Sequence, residues 1–248
     1  MKLTRRFIYA AAFMMAFSIA SAGPFDVKQP LPEQSVSIYK LQMTTKTTNE
    51  PIGSCTGWVA ENKEGEIRIV TNSHCCIDNG TEVDPEIGDL TNIKLADGRA
   101  LKRFIFDPLA DICILSIEGD TSKEKPLHLA ATPTNILEPV TVVGHPSGRP
   151  LEAYLGHRID SALIPIGYFD VDVITMFGEA DWCISVPATN MCMYLRQSDT
   201  YKIHIEPGNS GSPLLNKNGD VVGLIWGMMS FNDSSLAASL AQLKRYIK

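Results

Sequence analysis

A tight turn near the carboxyl-terminal end, with every histidine of the chain before it, most constrains what this sequence can fold into. The turn spans residues 207–213 (PGNSGSP). Because glycine lacks a Cβ, such a turn exposes the hydroxyl of Ser210. It also lets the NH groups of Gly208 and Ser210 point to one spot, the geometry that receives an oxyanion. The same residue types build ordinary surface turns, so the interpretation needs support from elsewhere in the chain.

Chain order limits which residues could assist Ser210. A nucleophilic serine needs a base, and the base needs an acid that orients it. No histidine follows Ser210, which excludes the Ser-acid-His order of the α/β-hydrolases. The subtilisin order requires an acid upstream of His74, where no acidic residue has a persuasive setting. The order His, Asp, Ser remains.

Two sequence contexts supply the histidine and the acid. His74 follows an alternating apolar run at residues 67–71 that predicts a strand, and Asp111 opens a β-branched, apolar run at residues 112–117. A carboxylate placed there is partly buried and requires a partner such as an imidazole NH. At these positions the sequence resembles the chymotrypsin-fold serine proteases. The resemblance implies a triad of His74, Asp111 and Ser210, an oxyanion hole of the Gly208 and Ser210 amides, and no metal or organic cofactor.

Further segments extend the resemblance over most of the chain. Residues 95–99, 107–112, 143–148 and 207–211 are similar to successive landmarks of HtrA-family catalytic domains, and residues 208–227 are also similar to the glutamyl endopeptidases. Ile225 stands where the glutamyl enzymes carry a histidine, so their glutamate preference is not carried over. Because the chain ends shortly after Gly227, we expect no PDZ domain.

The resemblance also predicts a primary substrate pocket, walled by His204, Ile205, Glu206, Ile225, Trp226 and Gly227. Ile225 favours an apolar substrate side chain. His204 either receives a polar group at the base of the pocket or is a satisfied structural histidine. Digestive-type members are activated when a new N-terminus pairs with an aspartate just before the serine. This chain has the neutral Asn209 there, so we expect no trypsin-like proteolytic activation.

Residues 1–22 predict a secretory signal peptide, because three cationic residues precede an apolar stretch and an Ala20-Ser21-Ala22 cleavage motif. An uncleaved anchor is the alternative. Cleavage leaves a protease domain at residues 23–248 with no stable membrane span, in a secreted or periplasmic protein. The chain has 28 acidic and 22 basic residues, and this acidic surplus argues against nucleic acid as a partner. Protein or peptide substrates are the expected partners.

Export favours paired cysteines over reactive ones. The resemblance implies a bridge between Cys55 and Cys75, and Cys183 with Cys192 would close a short loop. Cys76 and Cys113 remain. Cys113 shares a strand face with Asp111, so it would come near Cys76 if that face meets His74, and the two could form a third bridge. Two buried free thiols are the alternative. A zinc site at residues 74–76 lacks the usual ligand spacing.

The many short alternating segments predict an all-β fold, and the resemblance to the chymotrypsin-fold proteases implies two six-stranded antiparallel β-barrels, followed here by a C-terminal α-helix. We expect the first barrel at about residues 35–117, the second at about 139–230 and the helix at about 234–247. Asp233 or Ser234 would cap this helix. Its apolar stripe would be Leu236, Leu240, Leu243 and Ile247. The predicted function is a secreted serine endopeptidase. The alternative is a latent or inactive binding or toxin-like protein on the same fold.

Overall fold

The computed structural model describes residues 27–44, 49–76, 92–169, 184–186, 191–229 and 233–248. The predicted signal peptide and Cys183 lie outside these residues, as does the side chain of Cys192, so the bridge between the two cysteines stays a prediction. By their contacts, the described residues form two compact units. The smaller contains those within Leu163–Arg196, and the larger those within Ser21–Ala162 and Gln197–Lys248.

Extended structure dominates the described chain, as its alternating sequence predicts. The strands, in chain order, are β1 (Lys28–Gln29), β2 (Ile38–Thr44), β3 (Pro51–Glu61), β4 (Ile67–Thr71), β5 (Asn92–Leu95), β6 (Leu101–Asp107), β7 (Ile112–Ile117), β8 (Pro139–Gly144), β9 (Glu152–Phe169), β10 (Ile184–Val186), β11 (Met191–Lys202), β12 (Pro213–Leu215), β13 (Val221–Met229) and β14 (Ser234–Ser239).

The first sheet has six antiparallel strands in the order β5-β2-β3-β4-β7-β6. A bridge between Lys94 and Ala100 joins its two edge strands around the turn at residues 96–99. This bridge brings the two ends of the sheet together, as in a barrel. The strands at residues 67–71 and 112–117 have the bounds that the periodicity predicts.

The second sheet is also antiparallel, in the order β1-β9-β8-β12-β13-β14-β11-β10, and an additional pairing joins β9 to β11. That pairing closes a ring of six strands, to which β1 and β10 are additions. In the smaller unit, β10 pairs with residues 191–193 of β11. The fold is therefore all-β with two antiparallel six-stranded rings, as predicted.

Buried side chains of the larger unit form three clusters. One fills the first barrel and includes Leu41, Val59 and Leu115. A second includes Val142 and Tyr201 of the other sheet. The third contains residues of both sheets, among them Trp58, Ile114, Val143 and Leu224, so the two sheets share a continuous apolar contact within this unit.

The carboxyl-terminal helix is shorter than predicted. Residues 234–239 form β14, which pairs with β13 from Ser234 opposite Met229 to Ser239 opposite Gly223. The α-helix, α1, is Leu240–Leu243, and Ser239 caps it in a capping box with Gln242. The sequence prediction was wrong here because residues 234–238 are all buried against neighbouring strands, and sheet pairing outweighs a helical spacing of leucines.

Candidate active site

A turn organised by Asp107 presents Asp111 at the start of β7. The Oδ1 atom of Asp107 accepts hydrogen bonds from the amides of Leu109 (3.0 Å) and Ala110 (2.9 Å). Its Oδ2 accepts from the hydroxyl of Tyr246 at 2.5 Å. The turn ends with Asp111 at φ +56°, a left-handed conformation that is uncommon for a residue with a Cβ. Such conformations persist where the surrounding contacts enforce them, as these do.

The carboxylate of Asp111 is buried and fully engaged, with 3% of the residue exposed. Oδ1 accepts from the hydroxyl of Ser73 at 2.7 Å and from the amide of His74 at 3.0 Å. Oδ2 lies 2.8 Å from Nδ1 of the His74 ring. Since a carboxylate only accepts, Nδ1 carries the proton in this contact and Nε2 is left as the acceptor. The ring keeps about a third of its surface open, with 37% of the side chain exposed.

Two disulfides hold the segment that carries His74. Cys55 in β3 is bonded to Cys75, and Cys76 is bonded to Cys113 in β7. The structure therefore decides in favour of the Cys76–Cys113 bridge over two free thiols. Cys55, His74 and Cys75 offer atoms within 4.8 Å of one another. Both sulfurs are in the bridge, so no thiolate is available as a metal ligand there.

The turn of Ser210 packs against the first sheet through Thr56. The amide of Thr56 donates to the carbonyl of Ser210 at 2.8 Å, and the Thr56 carbonyl accepts from the Thr71 hydroxyl at 2.8 Å. A Cβ on Gly211 would lie 2.1 Å from the Thr56 carbonyl oxygen, so only glycine permits this approach. Ser210 is thereby held against the end of β4, which leads directly into His74. In the described structure, no hydrogen bond joins Ser210 Oγ to the His74 ring.

Two amides of the same turn are available to a ligand. Within the described residues, the amides of Gly208 and Ser210 have no protein acceptor, whereas the amide between them, of Asn209, donates to the Glu206 carbonyl at 3.0 Å. Gly208 has φ +95°, and its carbonyl accepts from the hydroxyl of Thr56 at 2.8 Å. The two free donors thus lie on either side of the Asn209 amide in the turn.

The predicted pocket residues have different surroundings. His204 Nε2 lies 3.2 Å from Glu206 Oε1, and its ring packs on Tyr154 with centroids 4.9 Å apart. Burial raises the pKa of Glu206, but hydrogen bonds from Ser147, His204 and Arg149 outweigh it and hold that pKa below its usual range. Both polar groups of the predicted pocket thus have protein partners.

The apolar members of the predicted pocket lie on or beside buried structure. Ile225 is 1% exposed, and its amide donates to the Ser212 carbonyl at 2.9 Å. Ile205 and Trp226 are partly buried against the core clusters. Among the described residues, no atom lies within 4 Å of a Cβ built on Gly227.

Several residues that build the site escaped the sequence interpretation: Thr56, Asp107, Tyr246, Ser147 and Arg149. Asp107 begins one of the segments that resemble HtrA domains, and an Asp-Pro-Leu turn is a recognisable signal for a capping carboxylate. Thr56 lies in a segment that reads as an ordinary strand, and Tyr246 follows Asp107 by 139 residues. Contacts at such separations leave no local pattern.

No helix in the described ranges is both long and apolar enough to cross a membrane.

Comparison with known proteins relates this geometry to a family. The family described as "Trypsin-like peptidase domain" matches residues 55–224, more than half of the chain. The Serine protease Do-like HtrA of Bacillus subtilis (strain 168) is 24% identical over 192 residues, which are 77% of this chain and 37% of that protein. The chain thus spans little more than a third of the length of this relative.

Several solved structures have a similar fold. The Rv3671c protease from M. tuberculosis, in its active form, matches with a TM-score of 0.62 and 19% identity, over 86% of this chain and 79% of that one. Deg5 matches with a TM-score of 0.57 and 18% identity, over 85% and 87%. The serine endoprotease from Yersinia pestis matches with 0.54 and 15%, over 88% and 65%. At these identities the likeness establishes the fold.

Proposed function

This chain belongs to the trypsin-like peptidase family, and from that premise we propose that it is a secreted or periplasmic serine endopeptidase. The observation that carries the proposal is the 2.8 Å contact between His74 Nδ1 and the buried carboxylate of Asp111. This contact prepares an imidazole whose free nitrogen is a base. The serine-bearing turn is bonded to the strand that precedes His74 through Thr56.

In the proposed reaction, Ser210 Oγ attacks the carbonyl carbon of a peptide bond. His74 Nε2 takes the serine proton and returns it to the leaving amine, and Asp111 holds the imidazole and stabilises its charged form. Water then attacks the acyl carbon and gives a proton to His74; the bond between that carbon and Ser210 Oγ breaks, and His74 returns the proton to Oγ. The absence of a hydrogen bond between Ser210 and His74 in the described structure is compatible with this role, because such contacts often tighten only when substrate binds.

The amides of Gly208 and Ser210 would stabilise the oxyanion formed in both steps. Their lack of a protein acceptor among the described residues supports this role. Where one such donor has been removed in other enzymes, the loss is about 3 to 4 kcal/mol of transition-state stabilisation.

The surroundings of the predicted pocket favour an apolar substrate side chain. Glu206 and His204 bond to each other and to further protein groups, so neither offers an unpaired charge to a substrate. No described residue comes within 4 Å of a Cβ built on Gly227, which follows the partly buried Trp226. A side chain bound there would contact mainly carbon.

Two disulfides among the described residues support folding in an oxidising compartment, in agreement with the predicted signal peptide at residues 1–22. Asn209 is 1% exposed and uncharged, so activation by pairing with a new N-terminus is not expected. The processed protein should need no trypsin-like cleavage to become active.

A second candidate function is a latent protease fold that binds a partner. The missing hydrogen bond between Ser210 and His74 favours it, because a site that stays in this arrangement would turn over slowly.

Labelling with a fluorophosphonate probe distinguishes the two candidates. The mature wild type and Ser210→Ala would each be treated with the probe and incubated with unfolded casein, and the fold of each would be checked by circular dichroism. Labelling and cleavage that both disappear in Ser210→Ala would support the endopeptidase. A folded wild type that neither labels nor cleaves would contradict it and favour the latent protein.

A further inference from the structure

The carboxylate of Glu206 joins two segments next to the serine turn. Its Oε2 accepts from the hydroxyl of Ser147 at 2.7 Å. Its Oε1 accepts from the guanidinium of Arg149 at 2.8 Å and lies 3.2 Å from His204 Nε2. Three side chains therefore converge on one carboxylate, and two of them belong to the loop that follows β8. This loop and the serine turn are tied together at Glu206.

Ser147 also binds the backbone of the serine turn. Its amide donates to the carbonyl of Pro207 at 2.5 Å. A peptide bond is planar and trans, so its C=O and N–H point in opposite directions. A hydrogen bond to the Pro207 carbonyl therefore sets the direction of the Gly208 N–H, which belongs to the same peptide group.

The loop also packs closely on Gly208. A Cβ on Gly208 would lie 2.4 Å from the His145 carbonyl oxygen and 3.2 Å from the Ser147 nitrogen. Ser147 has φ +49°, a conformation that residues with a Cβ adopt sparingly. Its side-chain bond to Glu206 favours that conformation, which in turn aims its amide at Pro207.

We propose that Glu206 is a positioning residue, which with Arg149 holds Ser147 so that the Pro207–Gly208 peptide presents the Gly208 amide to the oxyanion. The inference rests on the proposed function and adds a requirement to it. Asn209 is neutral and buried, so it provides no charge to hold the turn, and the orientation of the Pro207–Gly208 peptide depends on the loop. Removing the carboxylate frees Ser147 and lets the peptide rotate.

The kinetic experiment compares Glu206→Gln and Arg149→Ala with the wild type. Glu61→Gln is the matched control, because Glu61 forms an exposed ion pair with Lys248 at 2.9 Å and takes no part in the serine turn. For each protein, kcat and KM would be measured on a peptide amide, together with the inhibition constant of a peptide aldehyde, whose adduct carries an oxyanion. Melting temperatures would verify that each variant is folded.

The proposal expects kcat of Glu206→Gln to fall by about tenfold or more while KM changes by less than about threefold. Aldehyde affinity should fall by a similar factor to kcat/KM, Arg149→Ala should lose less, and Glu61→Gln should match the wild type. An unchanged kcat in folded Glu206→Gln would overturn the proposal. A raised KM with an intact kcat would also overturn it, because it would make Glu206 a wall of the pocket.

Crystal structures of the wild type and Glu206→Gln give a second measurement that does not need activity. The proposal expects the Pro207 carbonyl to leave Ser147 in the variant, and an unchanged peptide would overturn it. A wild type that neither labels nor cleaves would count against the proposed function instead. The two failures are therefore distinguishable.

Discussion

Replacing Thr56 with valine should both destabilise the protein and slow its proposed reaction. Thr56 is 0% exposed. Its hydroxyl donates to the Gly208 carbonyl at 2.8 Å and accepts from the His145 amide at 3.0 Å. Valine has nearly the same shape but makes neither bond. The substitution therefore removes one hydroxyl oxygen between the two sheets and changes little else.

The expected loss of stability follows from the two backbone groups that lose their hydrogen-bond partner, the Gly208 carbonyl and the His145 amide. A buried carbonyl without a donor costs about 1 to 3 kcal/mol, and a lost hydrogen bond to a more accessible amide costs about 1 kcal/mol. Thr56→Val should therefore lower the free energy of unfolding by about 2 to 4 kcal/mol. For a chain of this size, that corresponds to a fall in melting temperature of roughly 5 to 15 °C. Because Gly208 is no longer held, kcat should fall by about tenfold to a hundredfold.

Differential scanning calorimetry and peptide-amide kinetics would measure both effects, with Thr56→Ser as the control. Serine keeps the hydroxyl and loses one methyl group, so it should cost only about 1 kcal/mol and leave kcat close to that of the wild type. The reasoning would be refuted if Thr56→Val melted and reacted like the wild type. It would also be refuted if Thr56→Ser were as damaging as Thr56→Val, since packing of the methyl group would then explain the loss.

Three further predictions concern the acid, one disulfide and pH. Asp111→Asn should lower kcat by roughly 10⁴-fold with a small change in melting temperature, because an amide at Oδ2 favours the wrong His74 tautomer; steady-state kinetics would measure this, and full activity would contradict it. The double variant Cys76→Ala/Cys113→Ala, which opens a bridge with a sequence separation of 37, should lose about 3 to 4 kcal/mol of unfolding free energy in urea titrations. Glu206 has a folded-state pKa below its ordinary value of 4.5, so its ionised form stabilises the fold above that value, and the contribution is lost as pH falls through the lowered pKa. Glu206→Gln should accordingly melt below the wild type at about pH 7 and approach it as the pH falls through that lowered pKa; a constant difference would contradict the assignment.

Loop 145–149 shows how a site depends on contacts between distant residues. Ser147 and Arg149 approach Glu206 across 59 and 57 positions of the chain. The sequence interpretation assigned Glu206 to the pocket wall, because position relative to Ser210 was the information available. The structure adds that its carboxylate is already bound by protein groups.

Local sequence patterns were enough to predict the strands at residues 67–71 and 112–117, and the order of His74, Asp111 and Ser210 led to the family. Alternation of apolar residues is a local property, and so is the glycine content of the serine turn, which explains why both can be recognised in one chain. The bridge between Cys55 and Cys75 followed from the family resemblance.

Three features could be seen only in the folded chain: residues 234–239 form a strand, Cys76 pairs with Cys113, and Thr56 and Glu206 bond to groups in and beside the turn of Ser210. Each of these outcomes depends on a partner far away in the chain. The free energy of a buried hydrogen bond or a strand pairing belongs to the pair of residues, and neither residue alone carries a pattern that reveals it.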